Sequence, residues 1–135
     1  MTGAPDTGSL HPSMLVWARN LAVAFVALQH LGFLVLEMFL WKSPTGRRIF
    51  RTTPEFAAQS APLAANQGLY NGFLAAGLFW SLLAPEPMAE WLRLFFLVCV
   101  AVAAVFGAAT VGRRILWVQG FPAAVALVLD RLVRG

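Results

Sequence analysis

Charge is scarce in this chain. Only 12% of its 135 residues are Asp, Glu, Lys or Arg, while 59% are hydrophobic. A soluble domain carries about 25% charge, so this chain has too little polar surface to coat its apolar residues in water. It reads as an integral membrane protein. Cysteine is limited to Cys99, which excludes an internal disulfide and leaves that residue as a small packing group in an apolar segment. Met1 to Ser13 contains Asp6 and Pro12 but no basic residue, so no removable signal peptide is expected there. That stretch reads as a disordered tail over residues 1–13. The sequence also lacks a metal-ligand spacing, a phosphate-binding glycine loop and a nucleophile paired with a base. No metal and no cofactor are expected, and whether the chain is an enzyme stays open.

What is present is a set of four apolar stretches: Leu21–Trp41, Leu63–Ala84, Trp91–Val111, and Ile115 to about Val133. A hydrocarbon core of about 30 Å needs roughly 20 helical residues, and each stretch reads as a span, the first drawn from about residue 15. The fourth is marginal. Only Ile115–Leu129 is uncharged, so Asp130 and Arg131 are expected to reach the interface or the bilayer to thin around them. Pro85–Glu90 and Gly112–Arg114 are short links that force antiparallel neighbours. The expected fold is therefore all-α, an antiparallel bundle of four transmembrane helices formed by residues 14–135. All five tryptophans lie near span ends: Trp17, Trp41, Trp80, Trp91 and Trp117. That is the pattern of interfacial aromatic belts.

The loop after the first span carries "TTPEF", which predicts a helix start with Thr53 as cap, Pro54 in first position and Glu55 favoured by the helix dipole. Pro62 is expected to redirect the chain into the membrane. Lys42, Arg47, Arg48, Arg51, Arg113 and Arg114 fall on one side, against Arg19, Arg93, Arg131 and Arg134 on the other. This excess places the first and third loops in the cytoplasm and both termini outside the cell membrane. The same cations, beside spans rather than in a basic domain, point to membrane lipid head groups and not to nucleic acid.

Several polar residues interrupt the spans. Glu37 is costly at membrane depth, although it lies only one turn from Trp41. It reads either as a proton- or cation-binding carboxylate or as a side chain tied to a basic loop residue. His30, seven residues earlier, returns to the same face about 10 Å deeper. It could titrate with Glu37 or simply be hydrogen-bonded inside the bundle. In the second span Asn66, Gln67, Tyr70 and Asn71 cover an arc of about 140°, and they are expected to face Glu37, His30 and Gln119. Gly68 and Gly72 fall on the opposite side at the spacing that lets helices approach, and Gly107 lies in a small-residue stripe of the third span. Pro122 leaves a carbonyl one turn earlier without its usual donor.

The strings "LEMFLWKSPTGRRIF", "AANQGLYNGFLAAGL" and "FGAATVGRRILWVQGFPA" together resemble a family of small bacterial and fungal four-span proteins catalogued as domain of unknown function 1304. The resemblance covers about residues 15–130. It implies an integral membrane location and four helices, and it carries no activity and no assigned residues. From the residues alone, three functions compete. The first is a site inside the bundle for a small apolar or amphipathic molecule or a lipid, built from Glu37, His30, Asn66, Gln67, Tyr70, Asn71 and Gln119. The second is a dimeric proton-coupled transporter, and the third an accessory protein whose polar residues only fix helix register. A homodimer fits the small-residue faces.

Overall fold

The computed structural model describes residues 12–135, and among these every regular element is helical. The elements are α1 (Pro12–Met38), α2 (Pro44–Phe50), α3 (Pro54–Leu83) and α4 (Met88–Thr110), followed by a π-helical turn (Leu116–Gly120) that runs directly into α5 (Phe121–Arg134). Helix already begins at Pro12, and the rest of the expected tail, residues 1–11, lies outside the described residues.

Three helices are long and apolar enough to cross a membrane: Pro12–Met38, Met88–Thr110 and the continuous Leu116–Arg134. α3 is the longest helix at 30 residues but falls short of that apolar standard, because Asn66, Gln67, Tyr70 and Asn71 interrupt it. The outer surface is apolar. Leu63, Leu83, Val111 and Trp117 are among many large side chains left largely exposed, and a surface of this kind suits lipid rather than water.

Two capped turns shape the connection from α1 to α3. Ser43 Oγ accepts from the Gly46 amide at 3.0 Å, starting α2. Thr53 Oγ1 accepts from the Phe56 amide at 3.2 Å, starting α3 with Pro54 in its first turn as "TTPEF" predicts. α2 is folded hard against the end of α1: a Cβ at Gly46 would collide with the Leu40 carbonyl. The tryptophan indole of Trp41 donates to Ser60 Oγ at 3.0 Å, fastening this hairpin to α3. Pro62 does not redirect the chain, and α3 continues through it. The Ala58 carbonyl that loses its donor belongs to an exposed residue, where other partners can reach it.

α1 packs on α3 and α5, and α4 packs on α3, α5 and the π turn. Val23, Val26 and Ala27 of α1, Leu78 of α3, Leu97 and Val100 of α4, and Ala123 and Ala126 of α5 are fully buried together. The side chains at the contacts are small. A Cβ at Gly68 would come within 2.7 Å of Met38, 3.1 Å of Glu37 and 3.2 Å of the Leu34 carbonyl, and one at Gly72 within 2.6 Å of Leu34. These glycines set how closely α3 lies on α1.

Candidate functional site at the α1–α3 seam

That close approach fixes the rotation of α3 and corrects an expectation. Gly68, Gly72 and Ala75 point toward α1, so the amide arc is turned away: Asn66, Gln67 and Tyr70 are exposed and do not face Glu37. Asn71, at the margin of both arcs, is the member that reaches α1. Its Nδ2 donates to Glu37 Oε2 at 2.7 Å. Asn71 is buried and Glu37 half-buried, and no hydrogen bond to the second carboxylate oxygen is made among the described residues. The seam therefore holds an acceptor with one oxygen fixed and the other open.

His30 is fully buried but does not join this pair. Its Nδ1 lies 2.8 Å from the Val26 carbonyl of its own helix, its ring meets Phe33 edge-on at 5.5 Å, and its Nε2 has no partner among the described residues. Gln119 is also elsewhere. It sits in the π turn, half-buried, with no hydrogen bond to the seam. The small stripe of α4 serves that turn: a Cβ at Gly120 would meet Ala104 at 3.2 Å, and one at Gly107 would meet Ile115 at 3.1 Å.

A glutamine overlooked in the sequence does the joining. Pro122 has no amide hydrogen, so the Val118 carbonyl four residues earlier lacks its helical donor. Gln29 Nε2 of α1 supplies it at 2.7 Å. The π turn, in which the Phe121 amide bonds back to the Leu116 carbonyl, is thus held open and tied to α1. The signal was available, since the orphan carbonyl was legible; its donor required knowing which face of α1 meets α5.

The largest polar constellation lies at the opposite end, and sequence reasoning missed it. Asp130 does not reach the interface; it is 1% exposed, and Arg93 is 3% exposed. Arg93 Nε donates to Asp130 Oδ1 at 2.9 Å, and Arg93 Nη2 to Glu86 Oε1 at 2.6 Å. Arg134 bonds both Asp130 and Glu90, and Arg19 Nη1 lies 4.0 Å from Asp130. Three arginines and three carboxylates thereby join α1, α4, α5 and the α3–α4 link. Buried charges are tolerated when paired in this way. Glu86 lies outside the helices. Partial burial opposes its ionisation, but the hydrogen bond and charge of Arg93 outweigh this, and its carboxyl titrates below the ordinary range.

No group of three or more potential metal ligands occurs among the described residues. Comparison with known proteins adds a family and no chemistry. Residues 24–130 match a family model described as "Protein of unknown function (DUF1304)". The chain belongs to the DUF1304 family. A relative, the "Uncharacterized protein YpaA" of Lactococcus lactis subsp. lactis (strain IL1403), is 32% identical over 105 residues, covering 76% of this chain and 87% of the relative. No solved structure matches. The DUF1304 match includes Gln29, Glu37, Asn71, Arg93 and Asp130, whereas Arg19 and Arg134 fall outside it. The chain is thus a member of a family of unknown function, with three helices long and apolar enough to cross a membrane.

Proposed function

We propose that this DUF1304 protein crosses the cell membrane four times, with α3 as the second span, and binds a lipid or small amphipathic molecule at the α1–α3 seam. The observation that carries this reading is the Glu37–Asn71 pair, a carboxylate at membrane depth with one oxygen held at 2.7 Å and the other unbonded. Such an acceptor suits an amphiphile bearing a hydroxyl or amine. Carboxylates at this depth are costly and are usually turned to interior or functional use. Antiparallel packing and short links support the four-span bundle, and the excess of Lys and Arg beside the first and third loops supports an orientation with those loops cytoplasmic and both termini outside.

Proton-coupled transport fits less well, because His30 is sealed against its own helix and the next ionisable cluster is neutralised internally. Native mass spectrometry of the protein released from membranes tests the proposal. The wild type should retain a bound amphiphile, and Asn71→Ala should lose it. Wild-type protein free of any amphiphile, or retention by Asn71→Ala, would sink the reading.

A further inference from the structure

The two ends of the molecule treat their cations differently. At the end where α1 starts and α5 finishes, Arg19, Arg93 and Arg134 share three carboxylates. At the other end Lys42, Arg47, Arg48, Arg51, Arg113 and Arg114 make no ion pair among the described residues; the carboxylates toward that side are Glu37, which is bonded to Asn71, and the exposed Glu55. All of these cations but Arg47 are exposed.

This end is also built stiff. Ser43 caps α2, Gly46 locks it onto the α1 end, Trp41 packs at a tilt against Phe50 with ring centroids 4.7 Å apart, and Trp41 is pinned to Ser60. Arg51 terminates α2 with φ 54°, the one positive-φ residue other than glycine among the described residues. Glycine is the usual occupant of such a helix end, because any Cβ is strained there. Here an arginine stands where glycine would be less strained. A residue held in an unfavourable backbone region points toward a role outside folding.

We propose that the α2 hairpin is a preorganised platform for anionic phospholipid head groups, with Arg51 one of its contact residues. The partner follows from the charge: a fixed, uncompensated cationic surface at the end of membrane-crossing helices faces the head-group layer, where anionic lipids attract each nearby cation. Rigidity lowers the ordering cost of that contact.

The test uses the full chain in nanodiscs of phosphatidylcholine doped with phosphatidylglycerol, with the lipids retained by the released protein counted by native mass spectrometry. Wild type should be enriched in phosphatidylglycerol. Arg51→Gly should lower that enrichment about fivefold, the effect of one interfacial cation, while its thermal stability in detergent stays the same or rises. Arg131→Gln, an exposed arginine at the opposite end, should leave enrichment unchanged. The proposal is overturned if wild type shows no preference, if Arg51→Gly retains it, or if Arg131→Gln lowers it equally. Abolition of the enrichment by inorganic phosphate at matched ionic strength would assign the platform to free anions and overturn the lipid reading.

Discussion

Replacing Asp130 by alanine removes the acceptor on which Arg93 and Arg134 converge. Arg93 is 3% exposed and keeps Glu86 as its remaining carboxylate. Arg134 keeps Glu90, and Arg19 loses its ion-pair partner at 4.0 Å. The cluster changes from neutral to one net positive charge in a site that water does not reach freely. Breaking a buried pair from one side costs about 3–5 kcal/mol, chiefly from the charge left behind. Arg93 keeps one strong partner, so the lower half of that range is expected. Unfolding by sodium dodecyl sulfate in mixed micelles, followed by tryptophan fluorescence, measures the change. The double variant Arg93→Met with Asp130→Leu removes both charges and should recover most of the loss, since an apolar pair of similar volume is often as stable as the ion pair it replaces. A cost below about 1 kcal/mol for Asp130→Ala, or a double variant as unstable as the two single changes added together, would refute the account of Asp130 as the hub.

Gln29→Leu should cost about 1 kcal/mol by stranding the Val118 carbonyl, and much less in a Pro122→Ala background, where a backbone donor can return; equal costs in both backgrounds would break the link between the proline and the glutamine. Glu86 gives a pH dependence of definite sign. Its carboxyl titrates below the ordinary carboxyl value in the folded chain, held there by Arg93, so its contribution is complete above the ordinary value and is lost as pH falls through the folded one. The stability difference between wild type and Glu86→Gln should therefore shrink on acidification, and a difference that grows would show the sign to be wrong. The effect should be small, because the Glu86 side chain is 57% exposed.

The features legible in the sequence were those decided within a few residues. Apolar stretches gave the helices, "TTPEF" gave the start of α3, and the short links gave antiparallel neighbours. The position of Glu37 near a helix end and the orphan carbonyl before Pro122 were also local facts. Legibility failed wherever the answer depended on how one helix is rotated against another. The arc formed by Asn66, Gln67, Tyr70 and Asn71 was correct as helix geometry, but polarity does not choose which arc faces inward. Gly68 and Gly72 chose it, since close backbone approach to α1 was available only on their side.

The ion network failed for a related reason. Arg19, Arg93 and Arg134 were each one charge near the end of an apolar stretch, and each taken singly has the look of an interfacial anchor. Their depth held the better clue. Arg93 lies in the second turn of α4, while Asp130 lies in the second-last turn of α5. Antiparallel helices place those two positions at one level along the helix pair. Opposite charges at one level, both inside apolar helices, would each be expensive facing lipid, and each is the cheapest partner for the other. The same comparison leaves Lys42, Arg47, Arg48 and Arg51 with Glu37 of α1, which Asn71 already holds, and the exposed Glu55. Matching charges by depth across antiparallel helices therefore separates the compensated end from the uncompensated one, which counting basic residues by side could not do.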